Sequence, residues 1–381
     1  MNPKRLLPRV VGEAEQHAAL RREVRTFLRE CLDEGVFTPG IDTWLTDWDP
    51  QFSRRLAARG WIGMTIPVEY GGHGCSHIER FVVTEELLAA GAPVAAHWIA
   101  DRQIAPALMR FGTEQQKHRF LPAIARGECY FGIGMSEPDS GSDLASVRTK
   151  AVRVTGGWRL SGTKVWTSGA HRADAFFALA RTAPKNATAR HAGLSQFIVD
   201  LRSAGVDIRP IVSMTGNHHF NEVVMDDVFV PDSMVLGTIG HGWHQVTAEL
   251  AFERSGPERF LSTFPLLAAS AGRDHRAGGD IGRLMARITG LHHMSAAVAG
   301  ALQRGERADS AAAAVKLLGT ATEGDIAEYA DLLLDRDMES DATRRYRELV
   351  DLAVLQRPGF TLRGGTTEIL EGVVARELGL R

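Results

Sequence analysis

Apolar residues along this chain fall into three regimes of spacing. From about residue 13 to 128 they recur every three to four positions. Ala18, Leu20, Val24, Phe27, Leu28 and Leu32 form one helical face, and Gly35 and Pro39 stop it. Further helices are expected at about 49–59, 77–91 and 94–111, with the turn-rich run Trp61–Gly72 after the first of them. Thr113, followed three positions later by Gln116, predicts a capped helix start. From 129 to about 235 the period changes to two. Thr149–Val154, Trp158–Leu160, Lys164–Thr167, Ala175–Ala180, Ser195–Val199, Val206–Val212 and Glu222–Val230 read as strands, with Gly156 and Gly157 as a hairpin turn and Pro231 as the close. After Gly242 helical spacing returns, over about 243–272, 281–304, 309–335, 340–356 and 365–379, broken at Gly278-Gly279 and Pro358-Gly359.

The change from helical to strand spacing falls on Tyr130–Asp143, which crowds glycines, serines, a proline and acidic residues together. Such a stretch builds neither a helix nor a good strand, and it reads as a loop. Its glycines permit close backbone approach, and successive N–H groups in such turns can hold an anion or a ring edge. A plain domain-joining loop is the other reading.

Composition narrows the classes. Of 381 residues, 44% are hydrophobic and 24% charged, which is ordinary for a water-soluble globular chain with a sizeable core. The net charge of −2 gives no bulk case for nucleic acid or an acidic membrane surface. Cys31, Cys75 and Cys129 are far apart, which argues against both a disulfide framework and a zinc site, and no metal site is expected. No apolar run is long enough to span a membrane, and the charged N-terminal segment lacks a signal core. A reducing cytoplasm is the expected location.

Within the junction, Met135-Ser136-Glu137-Pro138 with Gly141-Ser142-Asp143 resembles the flavin-binding signature of the acyl-CoA dehydrogenase family. Lys164-Val165-Trp166-Thr167-Ser168 resembles the family's second flavin segment. Other landmarks agree: Glu69-Tyr70-Gly71-Gly72, Gly112-Thr113-Glu114, Asp226-Asp227-Val228 before Pro231, and Ala375-Arg376-Glu377 near the end. The resemblance covers nearly the whole chain. It implies an α+β acyl-CoA dehydrogenase-like fold, with an N-terminal helical domain (1–128), a central β-barrel domain (129–239) and a C-terminal helical bundle (240–381). It also implies FAD as cofactor, an acyl-CoA substrate, and an electron-transferring flavoprotein or similar acceptor. The expected assembly is a homodimer or tetramer, or a hetero-oligomer with a related chain.

The same resemblance assigns site residues. Met135 and Ser136 would bond the isoalloxazine edge, while Gly141 and Ser142 would lie near the cofactor and the thioester arm. Trp166 would cover one edge of the flavin and Ser168 would bond the ring; read alone, Trp166 is a barrel-core tryptophan. The reaction needs a carboxylate that takes the α-proton. Many members carry it near the C-terminus, where this chain has Gly364. A subset, including the isovaleryl and long-chain enzymes, carries it on a helix before an arginine, which here is Glu253-Arg254. Glu253 is therefore the expected base and Arg254 the neighbour that shapes the site. From spacing alone Glu253 reads as a solvated helix residue between Glu249 and Glu258; Glu249, Glu368 and Glu371 are the alternatives. Gly364 and Gly365 would face the substrate, with the Gly365 N–H as donor to the thioester oxygen. Thr366 and Glu368 would touch the flavin chain or its phosphates.

The sequence departs from the family in two places. Arg273–Asp280 replaces an Arg-x-x-Phe-Gly segment, and Asp335–Arg345 lacks the glycines of a Gln-x-x-Gly-Gly-x-Gly segment. Arg273 or Arg276 could serve a pyrophosphate, or the loop is only solvated. Two other functions stay open on the same fold: an O₂-using oxidase or monooxygenase, and a structural or partner subunit of a mixed complex.

Overall fold

The computed structural model describes residues 8, 9, 12, 14–186, 188–273, 278–334 and 340–380, without the side chains of 249–253. The helices and strands follow in chain order: α1 (Glu15–Asp33), α2 (Thr43–Thr46), α3 (Pro50–Ala58), α4 (His77–Ala89), α5 (Ala95–Ile99), α6 (Ala105–Phe111) and α7 (Glu114–Ala125); β1 (Phe131–Gly134), β2 (Lys150–Val154), β3 (Gly157–Lys164), β4 (Ala175–Arg181), β5 (Leu194–Asp200), β6 (Val206–Val212), β7 (His218–Pro231) and β8 (Val235–Leu236); then α8 (Gly242–Arg254), α9 (Phe264–Ala271), α10 (Gly278–Gln303), α11 (Asp309–Leu332), α12 (Asp341–Phe360) and α13 (Thr367–Glu377). The expected order of helices, strands and helices is present. The chain divides into two compact units that do not follow the boundaries of element type: Asp49–Gly74 with Ala95–Leu250, and Met1–Trp48 with Cys75–Val94 and Ala251–Arg381.

The first unit carries the sheet, in the order β6-β7-β3-β2-β4-β5-β8, with β1 parallel to β4. Its strands are long where the alternation is long: β3 and β7 pair antiparallel from Gly157↔Pro231 to Lys164↔Val223. One inner face packs Leu160, Phe176, Phe197, Val223, Met225 and Val228. The other side of β4 meets the helices through Phe131, which stands edge-on to Phe120 and Phe177 at centroid distances of 5.4 and 5.9 Å. The Thr113–Gln116 capping box forms as expected, each side chain reaching the other's backbone N–H.

The break expected at Pro358-Gly359 is absent, α12 running through it to Phe360, and three further local expectations fail, each for a physical reason. Phe131–Gly134, read as loop, is a strand, because a parallel partner forty-odd residues away leaves no local signature. Gly134 is required there, since a Cβ would come within 2.4 Å of the Phe176 ring. Lys164–Thr167, read as strand, stops at Lys164, and Trp166 turns to φ +61. The helical run 243–272 breaks after Arg254, where Gly256 and Pro257 open a tight 3₁₀ turn before α9.

In the second unit, α11 runs through the helical core with Ala312, Val315, Ile326 and Ala327 buried. The same helix also buries polar positions: Lys316, Thr320 and Glu323, with Gly319 between them. Gly319 is needed because a Cβ would sit 2.2 Å from the Arg259 carbonyl oxygen. Arg21 and Arg25 of α1 bond Glu85 and Glu86 of α4, at 2.7 Å for Arg21–Glu85 and for Arg25–Glu86.

Candidate functional site

In the sheet-bearing unit, the end of β1 and the end of β3 are locked together by a buried ion pair. Lys164 is fully buried, and its Nζ donates to Glu137 Oε1 at 2.8 Å and to the Met135 carbonyl at 3.1 Å. The Glu137 carboxylate also accepts from the Arg148 N–H (2.6 Å), the Thr149 N–H (2.9 Å) and the Thr149 hydroxyl (2.6 Å). Burial alone would raise this carboxyl, but the Lys164 ammonium and the remaining donors outweigh it and hold it below its ordinary value. Burial pushes Lys164 down to about 8, with Glu137 opposing. The turn then closes by reciprocal backbone bonds between Glu137 and Ser140 (2.9 and 3.0 Å), and Val165 N–H donates to the Ser136 carbonyl at 3.0 Å.

This bracing leaves the expected flavin residues at its edge. Met135 and Ser136 are half-buried, and Gly141 and Ser142 are exposed. A Cβ on Gly141 would meet nothing within 4 Å. Trp166 is 57% exposed, and its indole stands edge-on to Phe220 at 5.6 Å, so it is not a core tryptophan. A bulky residue in the left-handed region is a genuine outlier and is kept only where the surroundings enforce it. Asn221 provides the enforcement. Its backbone exchanges two hydrogen bonds with Thr167 (3.0 and 3.1 Å), and its Nδ2 donates to the Thr167 carbonyl at 3.0 Å. Asn221 Oδ1 accepts from His171 Nδ1 (3.1 Å) and His218 Nε2 (2.7 Å), whose rings stack at 4.0 Å. Burial, then His218 and Arg172, push His171 down to about 4, so the ring is neutral near pH 7.

These residues suit the flavin that the resemblance implies. An exposed indole held in a strained conformation offers a face to a planar ring. The Ser136 and Ser168 hydroxyls bond no protein group among the described residues, and the buried Thr167 hydroxyl has no hydrogen-bond partner.

In the helical unit, Glu253 and Arg254 end α8. The Glu253 side chain lies outside the described residues, as do those of Glu249 and the whole of Arg276. Arg254 Nε donates to the Gly364 carbonyl at 2.9 Å, and Lys316 Nζ donates to the Gly365 carbonyl at 2.8 Å. Gly364 and Gly365 have φ of +67 and +101. Thr366 stands at the N-cap position of α13 without a side-chain capping bond, and its hydroxyl holds the exposed Glu368 carboxyl below its ordinary value. Arg273 is engaged elsewhere: its Nη2 donates to the Ala342 carbonyl at 2.8 Å and its guanidinium lies 4.4 Å from the Tyr346 ring centre. Glu137, Lys164, Asn221 and Lys316 were not assigned roles from the sequence. The lysines carried the one available signal, since only six lysines stand among 381 residues.

Comparison with known proteins bears on the family and the fold. The acyl-CoA dehydrogenase N-terminal domain matches residues 14–128, and the acyl-CoA dehydrogenase middle domain matches 132–228. Acyl-CoA dehydrogenase FadE34 of Mycobacterium tuberculosis is 44% identical over 52% of this chain, but the chain spans only 27% of that protein's length. Acyl-CoA dehydrogenase FadE29 of the same organism is 36% identical over 84% of this chain and 86% of its own length. Among solved structures, the Tcur3481-Tcur3483 steroid ACAD has a TM-score of 0.84 at 28% identity, covering 97% of this chain and 98% of its own. Among the described residues, no helix is long and apolar enough to cross a membrane, and no group of three or more His, Cys, Asp or Glu could hold a metal ion.

Proposed function

Because the chain belongs to the acyl-CoA dehydrogenase family, we propose that it removes hydrogen from Cα and Cβ of an acyl-CoA thioester and yields the trans-2-enoyl-CoA. The observation that carries this reading is the exposed, left-handed Trp166, pinned by the Lys164–Glu137 pair on one side and Asn221 on the other. Bound FAD would supply the oxidant that takes up the β-hydride. Met135 and Ser136 would hold the ring edge through backbone and hydroxyl groups, Trp166 would lie against it, and Ser168 would offer a hydroxyl. Gly141 and Ser142 form an open lip for the cofactor and the thioester arm.

Glu253 takes the α-proton, and Arg254 beside it shapes the site. The thioester oxygen gains charge as that proton leaves, and the Gly365 N–H, beside Gly364, is the donor we assign to it. Thr366 and Glu368 are assigned to the flavin chain or its phosphates. A separate flavoprotein carrier would accept the electrons. The test is mass-spectrometric detection of an enoyl-CoA lacking two hydrogens, with an artificial electron acceptor and a panel of acyl-CoAs. Glu253→Gln should abolish product with flavin content unchanged; undiminished product would remove Glu253 from the role.

A second observation favours a bulky substrate and a paired assembly. The steroid ACAD that this chain resembles over 97% of its length is named for two chains. We propose that this chain also acts on polycyclic acyl-CoAs and works with a related chain. Flavin bound per chain, measured alone and after co-expression with a related chain, tests the pairing. Turnover of steroid-side-chain CoAs against short linear CoAs tests the substrate.

A further inference from the structure

The Asn221 side chain is fully buried, and both ends of its amide are engaged. Its Nδ2 donates to the Thr167 carbonyl at 3.0 Å, which the Asn221 N–H also reaches at 3.1 Å. A planar peptide moves as one piece, so holding that oxygen fixes the 167–168 peptide and the direction in which the chain enters Ser168. The oxygen of the same amide accepts from two rings, His171 Nδ1 at 3.1 Å and His218 Nε2 at 2.7 Å. A carbonyl oxygen only accepts, so each ring carries a hydrogen on the nitrogen that faces Asn221. The amide cannot be turned round, because the Thr167 carbonyl requires its NH₂ group.

A further proton has no good place on His171. It would go to Nε2, which is buried and has no hydrogen-bond partner. The new cation would lie against the His218 ring, whose centre is 4.0 Å away and whose plane is 20° from parallel. The other groups that act on it are Arg172, next in the chain, and His219 of β7, neither of which supplies a negative charge. A buried N–H without an acceptor and a charge set among cationic or protonatable groups both oppose protonation in place. Burial first, then His218 and Arg172, push the held ring down to about 4, whereas a ring released to water titrates near 6.5. The grip is therefore complete above pH 6.5 and weakens as pH falls toward 4.

We propose that His171 and His218 are positioning residues for the flavin segment: as a neutral stacked pair they hold the Asn221 amide, and through it the peptide that leads into Ser168, and acid releases that grip and the cofactor with it. This deepens the proposed function and rests on its assignment of Ser168 to the flavin ring. Both rings act through Asn221.

The test follows two readouts between pH 7.5 and pH 5: hydrogen exchange of the 165–170 amides, corrected for the intrinsic pH dependence, and the flavin that stays with the protein on ultrafiltration. Exchange is measured with flavin loaded and again after its removal. In the wild type, opening at 167–168 should rise by about thirtyfold, the ratio that a ring titrating at 6.5 when released and at about 4 when held gives at pH 5, and flavin should be lost in step. His171→Gln still donates to Asn221 but takes no proton, so the rise should fall below about threefold and flavin should be retained across the range. His218→Gln removes the ring stacked on His171 and should also cut the rise; it carries the same readouts should the first variant not fold. The wild-type acid profile kept in both variants would overturn the inference. Exchange that flattens while flavin is still lost as in the wild type would break the link from the turn to the cofactor and overturn it as well. A chain that takes up no flavin at any pH fails the proposed function instead, and the exchange profiles of the flavin-free protein still decide whether the pair holds the turn.

Discussion

Removing the Lys164 ammonium should damage the protein far more than its position in a strand would suggest. Lys164 is fully buried and Glu137 is 7% exposed, so neither can turn to water when its partner is lost. Lys164→Met keeps the apolar stem and deletes only the charge. Glu137 then retains the Arg148 and Thr149 donors at 2.6–2.9 Å but has no counter-ion. Breaking a buried pair from one side costs about 3–5 kcal/mol. At about 1.3 °C per kcal/mol, which an unfolding entropy of about 2.1 cal/mol/K per residue gives for 381 residues, the melting temperature should fall by roughly 4–6 °C. Adding Glu137→Gln to that variant should restore part of the loss, because the amide no longer strands a charge, and the two changes should couple by about 1–3 kcal/mol. Urea unfolding of the wild type, both single variants and the double variant measures this directly. Single losses below about 1 kcal/mol that simply add would refute the reasoning. The flavin retained per chain should fall in parallel, since the same lysine also holds the Met135 carbonyl at 3.1 Å.

Trp166→Gly should separate fold from function: relief of the left-handed strain offsets the lost edge contact with Phe220, so stability should move by less than about 1 kcal/mol while bound flavin drops sharply. Gly365→Ala should cost roughly 1–3 kcal/mol by unfolding, because φ is +101 and the new methyl crowds Arg254. Burial raises the Glu323 carboxyl to about 7, opposed by Arg363, so this group contributes most below pH 4.5 and its contribution is lost as pH rises through 7. Glu323→Gln keeps the acceptor for the Ser262 N–H and should flatten the stability profile over that window, as read from denaturation midpoints across pH 4–8.

The order of helices, strands and helices was legible because long amphipathic periods survive tertiary context. The Thr113 cap and the hairpin turn at Gly156 were legible because their chemistry is local, although Gly157 already belongs to β3. β1 was not legible, since its partner is β4 and its Gly134 answers to the Phe176 ring. The resemblance singles out the two segments proposed to hold flavin, but what braces them was not legible. Lys164 and Lys316 look like ordinary strand and helix lysines until folding buries both. Asn221 sits in an alternating strand with nothing in its neighbours to mark it as the clamp on Thr167. Trp166, which reads alone as a core residue, is exposed because the backbone reverses there, a turn that strand periodicity does not announce.

The most direct test of the central claim is the visible spectrum of the purified flavin-loaded protein during anaerobic addition of acyl-CoAs, linear and polycyclic, to the wild type and to Glu253→Gln. The account predicts that at least one acyl-CoA bleaches the wild-type flavin band, and that the same addition leaves the band of the variant in place. Full bleaching in Glu253→Gln, or a wild-type band untouched by every acyl-CoA, would contradict it.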